Sequence, residues 1–389
     1  LKEQIQQIIA KLKALWEKLK GQIPLPEKLI PKKHPQALKL YTLPAHNGDC
    51  LLLEFLGTDG QLHYIWTDGG LVKSYREFGG AVAKQLISQG VKLDLLIVTH
   101  VDQDHIGGIL AMCNDEDIPK DWVQQFWFNS GELLSAMFQE PPGSNRGISL
   151  AELDGASRSI GQGVRLEDYL RTNGNWHQLP IKRYHTHSFH GADISVLTPS
   201  TSALKRLHRE WRKETSHERS LDPNDYSLSL EALYRRPERS DASIVNGSSI
   251  SYIFEYHQTR ILMLGDAWAA DVAEALNLLG YTKEEPLRLD AVKLSHHASR
   301  ASISADLLNR IDCDTFVIST DGSRHQLPHK ETFARILLHP NRDKSREIHF
   351  IFNYNNPTLR KIFQEEEMLR HHFRCSYPSG DNQGYVLEF

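Results

Sequence analysis

A largely apolar run from Leu93 to Val98 ends in Thr99-His100-Val101-Asp102-Gln103-Asp104-His105-Ile106-Gly107-Gly108, which places four potential metal ligands, His100, Asp102, Asp104 and His105, within six residues. A chain with this feature must end a strand where imidazoles and carboxylates gather in one loop. Both are good ligands for zinc, manganese or iron. In extended backbone His100, Asp102 and Asp104 alternate onto one side. Asp104 and His105 then open a helix that Ile106 to Cys113 continues, its N-terminal dipole favouring the carboxylate. The competing reading is a charged, solvated turn that contains two histidines; ligand clusters at such spacing speak for a metal site.

Further patterns follow in a fixed order. Leu38 to Phe55 reads as two strands around the turn Asn47-Gly48-Asp49-Cys50, and Leu62 to Thr67 as a strand ending in Asp68-Gly69-Gly70. Ser243 to Tyr256 alternates around Asn246-Gly247-Ser248-Ser249, and Arg260 to Leu264 reads as a buried strand ending in Gly265-Asp266-Ala267. Leu289 to Leu294 runs into Ser295-His296-His297-Ala298-Ser299, and Thr315 to Thr320 into the loop Asp321 to His329. Strands alternating with helical stretches predict an α/β protein.

With these motifs in this order from Leu38 to the end, the chain resembles the metallo-β-lactamase fold superfamily, whose signature is H-x-H-x-D-H. Asp102 stands where the second histidine is usual, and the H-x-D-x-D-H variant resembles the metallohydrolase group related to the ComEC DNA-uptake proteins. The resemblance implies an αββα sandwich of two mixed sheets flanked by helices, with the site where strand-end loops meet at the sheet edge. It implies two divalent metal ions, zinc or manganese or a mixed pair, held by His100, Asp102, Asp104, His105, Asp266 and His296, with Asp266 bridging both. Asp104 is also expected to act as a catalytic carboxylate. His297 is the substitute for His296 if the register shifts by one, and Ala298 departs from the family's glycine, where positive φ comes more easily. Asp68 is expected to support the metal histidines from behind. His329, then His325, would face the substrate or transfer a proton; a surface role suits either equally. The third histidine of the first metal is not obvious, and His185 and His187 are the available substitutes.

The mechanism implied is a water activated between two cations roughly 3.5–4 Å apart. Asp102 in place of a histidine is a harder donor that favours manganese or a mixed site. Lys293, Arg300, Arg324, His325 and Lys330 cluster around the later motifs and are expected to give the pocket a positive rim. A phosphodiester, in a nucleic acid or a nucleotide, is therefore the expected substrate, which makes the chain a phosphodiesterase or nuclease. Two alternatives stand beside this: hydrolysis of an ester, lactone or amide on the same site, and a partner-binding or scaffold subunit of a multi-component bacterial system, such as a defence system.

The chain has 389 residues, 40% of them hydrophobic, enough for a sizeable core. Its formal charge of −4 gives no general attraction to nucleic acid, so any such attraction must be local. Cys50, Cys113, Cys313 and Cys375 lack paired spacing, which predicts a reducing, cytoplasmic setting and no disulfide framework. The sequence contains no apolar run long enough to span a membrane and does not open like a signal peptide.

The expected domain organisation is an amphipathic helix over 1–22, a proline-rich linker over 23–37 and a hydrolase domain over 38–389. Ile5, Ile9, Leu12, Trp16 and Leu19 form the apolar stripe of the first segment, and lysines dominate its other face. It reads as a coiled-coil or docking helix, through which the chain would form a homo-oligomer or bind a protein partner. An interfacial membrane helix is the runner-up, because five lysines outnumber two glutamates. A third reading is a helix not native to the chain, which starts at Leu1 rather than methionine. Two insertions, at about 114–180 and 204–240, separate the motifs. The first is expected to form a lid or wall over the site, and the second a solvated surface excursion.

Overall fold

The computed structural model describes residues 38–140, 155–173, 175–211, 224–380 and 384–389. The expected N-terminal helix and proline-rich linker, and with them the docking role, lie outside the described residues, which form one unit from Leu38 to Phe389.

Short apolar runs separated by turns become two mixed sheets. The first contains β1 (Leu38–Thr42), β2 (Leu51–Leu56), β3 (Leu62–Thr67), β4 (Leu95–Ile97), β5 (Phe126–Trp127) and the last strand, β16 (Tyr385–Glu388). Their order is β16-β1-β2-β3-β4-β5, antiparallel as far as β3 and parallel from β3 to β5. The second contains β6 (Thr186–Phe189), β7 (Ala192–Thr198), β8 (Ser251–Tyr256), β9 (Thr259–Met263), β11 (Ala291–Lys293), β13 (Thr315–Ile318), β14 (Ile348–Phe352) and β15 (Phe373–Ser376). Its order is β15-β14-β13-β11-β9-β8-β7-β6, parallel from β15 to β9 and antiparallel beyond. A small parallel pair, β10 (Leu287–Arg288) and β12 (Ile311–Asp312), lies beside them in the sequence.

The inner faces of the two sheets meet. The ring of Phe55 on β2 lies 5.6 Å from that of Phe254 on β8, and the hydroxyls of Thr67 and Tyr252 hydrogen-bond at 2.7 Å. Each outer face packs on helices. Leu52, Trp66 and Leu96 of the first sheet share a buried cluster with Ile106 and Ile109 of helix Gln103–Cys113 and Leu166 of helix Gly155–Asn173. Leu262, Val292, Phe316 and Phe350 of the second share one with Val272 and Leu276 of helix Ala269–Leu278 and Phe333 of helix Lys330–Leu337. At about 1.5–3 kcal/mol for each large apolar side chain buried, these two layers hold the sandwich together. This is the αββα arrangement expected from the sequence. Among the described residues no helix is long and apolar enough to cross a membrane.

The described part of the second insertion, residues 204–211 and 224–240, is not the solvated excursion expected. Leu230 and Leu233 of helix Leu230–Tyr234 are fully buried, and buried Asp225 accepts the N–H groups of Lys330 and Glu331 at 2.8 and 3.0 Å. A carboxylate there satisfies donors that a helix start leaves without partners.

Candidate metal centre

Parallel strands of both sheets aim their carboxyl ends at one seam, the place where open α/β sheets gather ligand-binding loops. Asp68 follows β3, His100 to His105 follow β4, Asp266 follows β9, His296 and His297 follow β11, and Ser319 follows β13. After β4 the backbone bends at Val101, and Asp102 is the extended N-cap of helix Gln103–Cys113, so Asp104 lies in the first helical turn rather than continuing the alternation. That helix rests on the turn after β3. The Gly69 N–H donates to His105 O and the Gly108 N–H to Gly70 O, both at 2.8 Å, and a Cβ on Gly108 would lie 1.9 Å from Gly69 O.

Three imidazoles meet there, and each is used in the same way. His105 Nδ1 donates to Asp68 Oδ2 at 2.8 Å. His297 Nδ1 donates to the Ser319 carbonyl at 2.9 Å. Thr99 gives its hydroxyl proton to Asp68 Oδ2 at 2.7 Å, so its oxygen accepts from His100 Nδ1 at 2.9 Å. With each Nδ1 proton so engaged, the neutral form of each ring offers its lone pair at Nε2, and the buried Nε2 atoms of His100, His105 and His297 have no hydrogen-bond partner. Three buried, unpartnered lone pairs are costly unless a cation takes them.

Carboxylates complete the group. Asp266 Oδ1 is 3.3 Å from His105 Nε2, and its Oδ2 is 3.7 Å from His100 Nε2 and 3.9 Å from His297 Nε2. Asp104 Oδ2 lies 3.5 Å from His297 Nε2 and accepts from Asn47 Nδ2 at 2.8 Å. Asp102 Oδ2 is 3.7 Å from His100 Nε2, and its Oδ1 accepts from Ser159 of the first insertion at 2.8 Å. Of the three sets of ligand atoms here close enough to share an ion, two take in the facing carboxylates, His100, His105 and Asp266, and Asp104, His105 and His297; the third is Asp49, Asp68 and His105. Burial alone would raise the Asp266 carboxyl, but the imidazoles of His105 and His297 reverse this and hold it well below the carboxylate range. Burial likewise works against charge on His297, and Asp266 and Asp104 bring it up to about 9.

His297, and not its neighbour, turns its ring into the group. His296 is a third exposed and points to Asp241, with Nδ1 3.0 Å from Asp241 Oδ2. The reason is the backbone: His296, His297 and Ala298 have φ of 46°, 53° and 62°, three successive left-handed residues without a glycine. The main chain also pins Asp266, whose N–H donates to Ser249 Oγ at 3.0 Å. Gly265 before it sits at φ +50°, with Ser249 Oγ 2.5 Å from where a Cβ would be.

Other residues singled out in the sequence lie elsewhere. Lys293 and Lys330 do not line a basic rim. Lys293 is fully buried in an ion pair with Asp49, whose other carboxylate oxygen is 3.4 Å from His297 Nδ1. Burial works against the Asp49 charge, but the Lys293 ammonium overcomes it and leaves the carboxyl at about 2. Lys330 is buried with its ammonium 2.7 Å from Glu367. Lys293 neutralises an interior carboxylate and Lys330 a partly exposed one, and neither faces solvent. Arg300 is buried three residues after His297 and lines a cavity of about 560 Å³ with Arg236, Arg239 and Asp225. His329 is also buried, and its Nδ1 accepts the Arg300 N–H at 3.1 Å. Arg324 and His325 are exposed on their loop. His185 and His187 pack edge-on against Trp127 at 4.9 and 5.6 Å and belong to neither donor set. Sequence reasoning missed Asp49, Asn47, Thr99, Ser159 and Ser319. In the sequence the Asn47 to Cys50 turn signals only a hairpin.

No protein-family model matches the chain, and no curated protein sequence matches it. Among solved structures it is similar to the metallo-β-lactamase-fold protein YhfI from Bacillus subtilis, at 10% identity over 91% of this chain and 100% of that one, with a TM-score of 0.38. It is similar to CmlA, a diiron β-hydroxylase from Streptomyces venezuelae, at 11% identity over 92% of this chain, with a TM-score of 0.40; the chain spans 55% of CmlA's length. Zn²⁺-bound PqqB from Methylobacterium extorquens is similar at 10% identity over 90% of this chain and 99% of that one, with a TM-score of 0.39.

Proposed function

We propose that this chain is a metal-dependent hydrolase that acts on a phosphodiester. The observation that carries the reading is the set of three buried imidazoles, each with Nδ1 engaged from behind and Nε2 left without a partner beside Asp266. This donor set fits divalent cations such as zinc or manganese. His100, Asp102 and Asp266 would hold one, and Asp104, His105, His297 and Asp266 the other. Such a pair supplies a nucleophile at neutral pH and stabilises charge on the departing oxygen.

The chain's own residues set up that chemistry. Asp68, Thr99 and the Ser319 carbonyl lock the three rings in the tautomer that offers Nε2. Asn47 fixes the Asp104 carboxylate by donating to Oδ2, the oxygen that faces His297 Nε2. Ser159 does the same for Asp102. Arg300, Arg236 and Arg239 would favour an anion in the cavity they line, which shares no lining residue with the proposed ligands. His329 holds its ring proton at Nε2, because Nδ1 accepts from Arg300, and can only donate there.

The test is elemental mass spectrometry of protein purified without chelator, with hydrolysis of bis-p-nitrophenyl phosphate and of p-nitrophenyl acetate measured on the same sample with added manganese or zinc. At least two metals per chain with turnover of the phosphodiester supports the proposal. Turnover of the ester alone overturns the substrate class, and absence of bound metal under every loading overturns the function.

A further inference from the structure

At the opposite end of β3 from Asp68, a second group of metal-ligating side chains joins the two sheets. Asp59 lies in the turn between β2 and β3, His63 near the start of β3, and His190 in the turn between β6 and β7. His63 Nε2 is 3.0 and 3.1 Å from the two oxygens of Asp59, and His190 Nδ1 is 3.4 Å from Asp59 Oδ2. The two imidazoles stack at 3.5 Å between centroids and 13° between planes, so the exposed His190 ring must turn out of the stack for both lone pairs to meet one ion.

The protons make this arrangement informative. Asp94 takes the N–H of Tyr64 on one oxygen at 2.8 Å and faces His63 Nδ1 with the other at 3.0 Å. Neutral His63 therefore donates from Nδ1 and turns an Nε2 lone pair to a carboxylate, where two acceptors repel. Either a second proton or a metal ion must lie between them. Burial works against the proton on His63, although the Asp94 and Asp59 hydrogen bonds more than offset it. A histidine fixed by a carboxylate from behind, with its other nitrogen facing outward ligands, is the arrangement that supports bound metal. The separations of 3.0 to 3.4 Å also match the ~3.3 Å between donors around tetrahedral zinc with bonds of about 2.0–2.1 Å.

We propose that Asp59, His63 and His190 hold a divalent cation of the zinc class that clasps the two sheets together. Two imidazoles and one carboxylate are its ligands, and solvent supplies the fourth position through the exposed side chains of Asp59 and His190. The hairpins are already aligned for it. Thr58 donates its N–H to His190 O at 3.0 Å, and Tyr256 donates its hydroxyl to Leu56 O at 2.5 Å. The site shares no residue with the Asp266 group and stands whether or not that group is catalytic.

The test loads the full chain with zinc, removes the excess by desalting, and compares zinc per chain in the wild type, His190→Ala and Asp59→Asn. Asp59→Asn preserves shape and so separates loss of a ligand from disturbance of the turn. The expected result is one zinc fewer in both variants, with a smaller zinc-induced rise in Tm than in the wild type. Equal zinc content in all three, or a loss in only one variant, overturns the proposal and leaves a protonated His63 between Asp59 and Asp94.

Discussion

Lys293 on β11 and Asp49 before β2 form a fully buried ion pair between residues 244 apart in sequence, and Asp49 in turn touches the ring of His297. The pair ties the second sheet to the first directly behind the candidate metal centre. Removing one partner leaves a charge in the interior without compensation. Lys293→Met is expected to cost about 3–5 kcal/mol of stability. Urea denaturation checks this, and a second change, Asp49→Leu, should recover part of the loss. A single variant as stable as the wild type would show that water reaches Asp49.

The two adjacent histidines should separate cleanly. His297→Ala removes one of three inward Nε2 atoms and is expected to weaken zinc binding by more than the ~10–100-fold that loss of a supporting residue costs. His296→Ala should stay within a few-fold of the wild type, because its ring is engaged with Asp241. Competition against a chromophoric chelator measures both. Weakening that followed His296 instead would return the ligand to the position first expected.

Asp68 takes the hydroxyl of Thr99 and the Nδ1 proton of His105 on one oxygen, and the Thr99 N–H on the other. An amide in its place can satisfy only part of this set. Asp68→Asn is therefore expected to lower zinc affinity by about 10–100-fold while the fold persists. Circular dichroism with the chelator competition decides it: unchanged affinity would mean that Asp68 holds the turn and not the rings.

His349 on β14 gives a pH test away from the metal centre. Burial first, then the charge of Arg374, lowers its imidazole from 6.5 to about 4. Between those values the unfolded chain binds a proton that the folded protein refuses, so stability is lost as pH falls from about 6.5 and levels off below about 4. His349→Gln should lose less stability than the wild type between about pH 7 and pH 5 in urea titrations. Equal losses would place the acid sensitivity in other groups.

Much of the scaffold could be read locally. Short strands between turn residues and the helix starting after Asp102 are nearest-neighbour patterns whose boundaries agree to within a few residues, except that the alternating stretch from Ser243 becomes a strand only at Ser251, after a short helical turn over Asn246–Ser248. The same locality brought out His100, Asp102, Asp104, His105 and Asp266. Long-range relationships escaped: nothing near Lys293 announces Asp49, and nothing near His297 announces the carbonyl of Ser319. The two histidines could not be ordered from sequence because their presentation depends on φ. Three left-handed residues turn the chain between His296 and Ala298, and only a glycine pattern would have signalled them.

The meeting of five strand ends at one seam also sets an order of events in time. A chain made from its N-terminus exposes His100 to His105 well before Asp266, His297 and Ser319 emerge to face them. The early loop holds only part of the donor set, and the partners that orient its later members do not yet exist. Under the proposed assignment, tight capture of metal waits until β13 is in place, so retention of the ion would report that synthesis and docking of both sheets are complete.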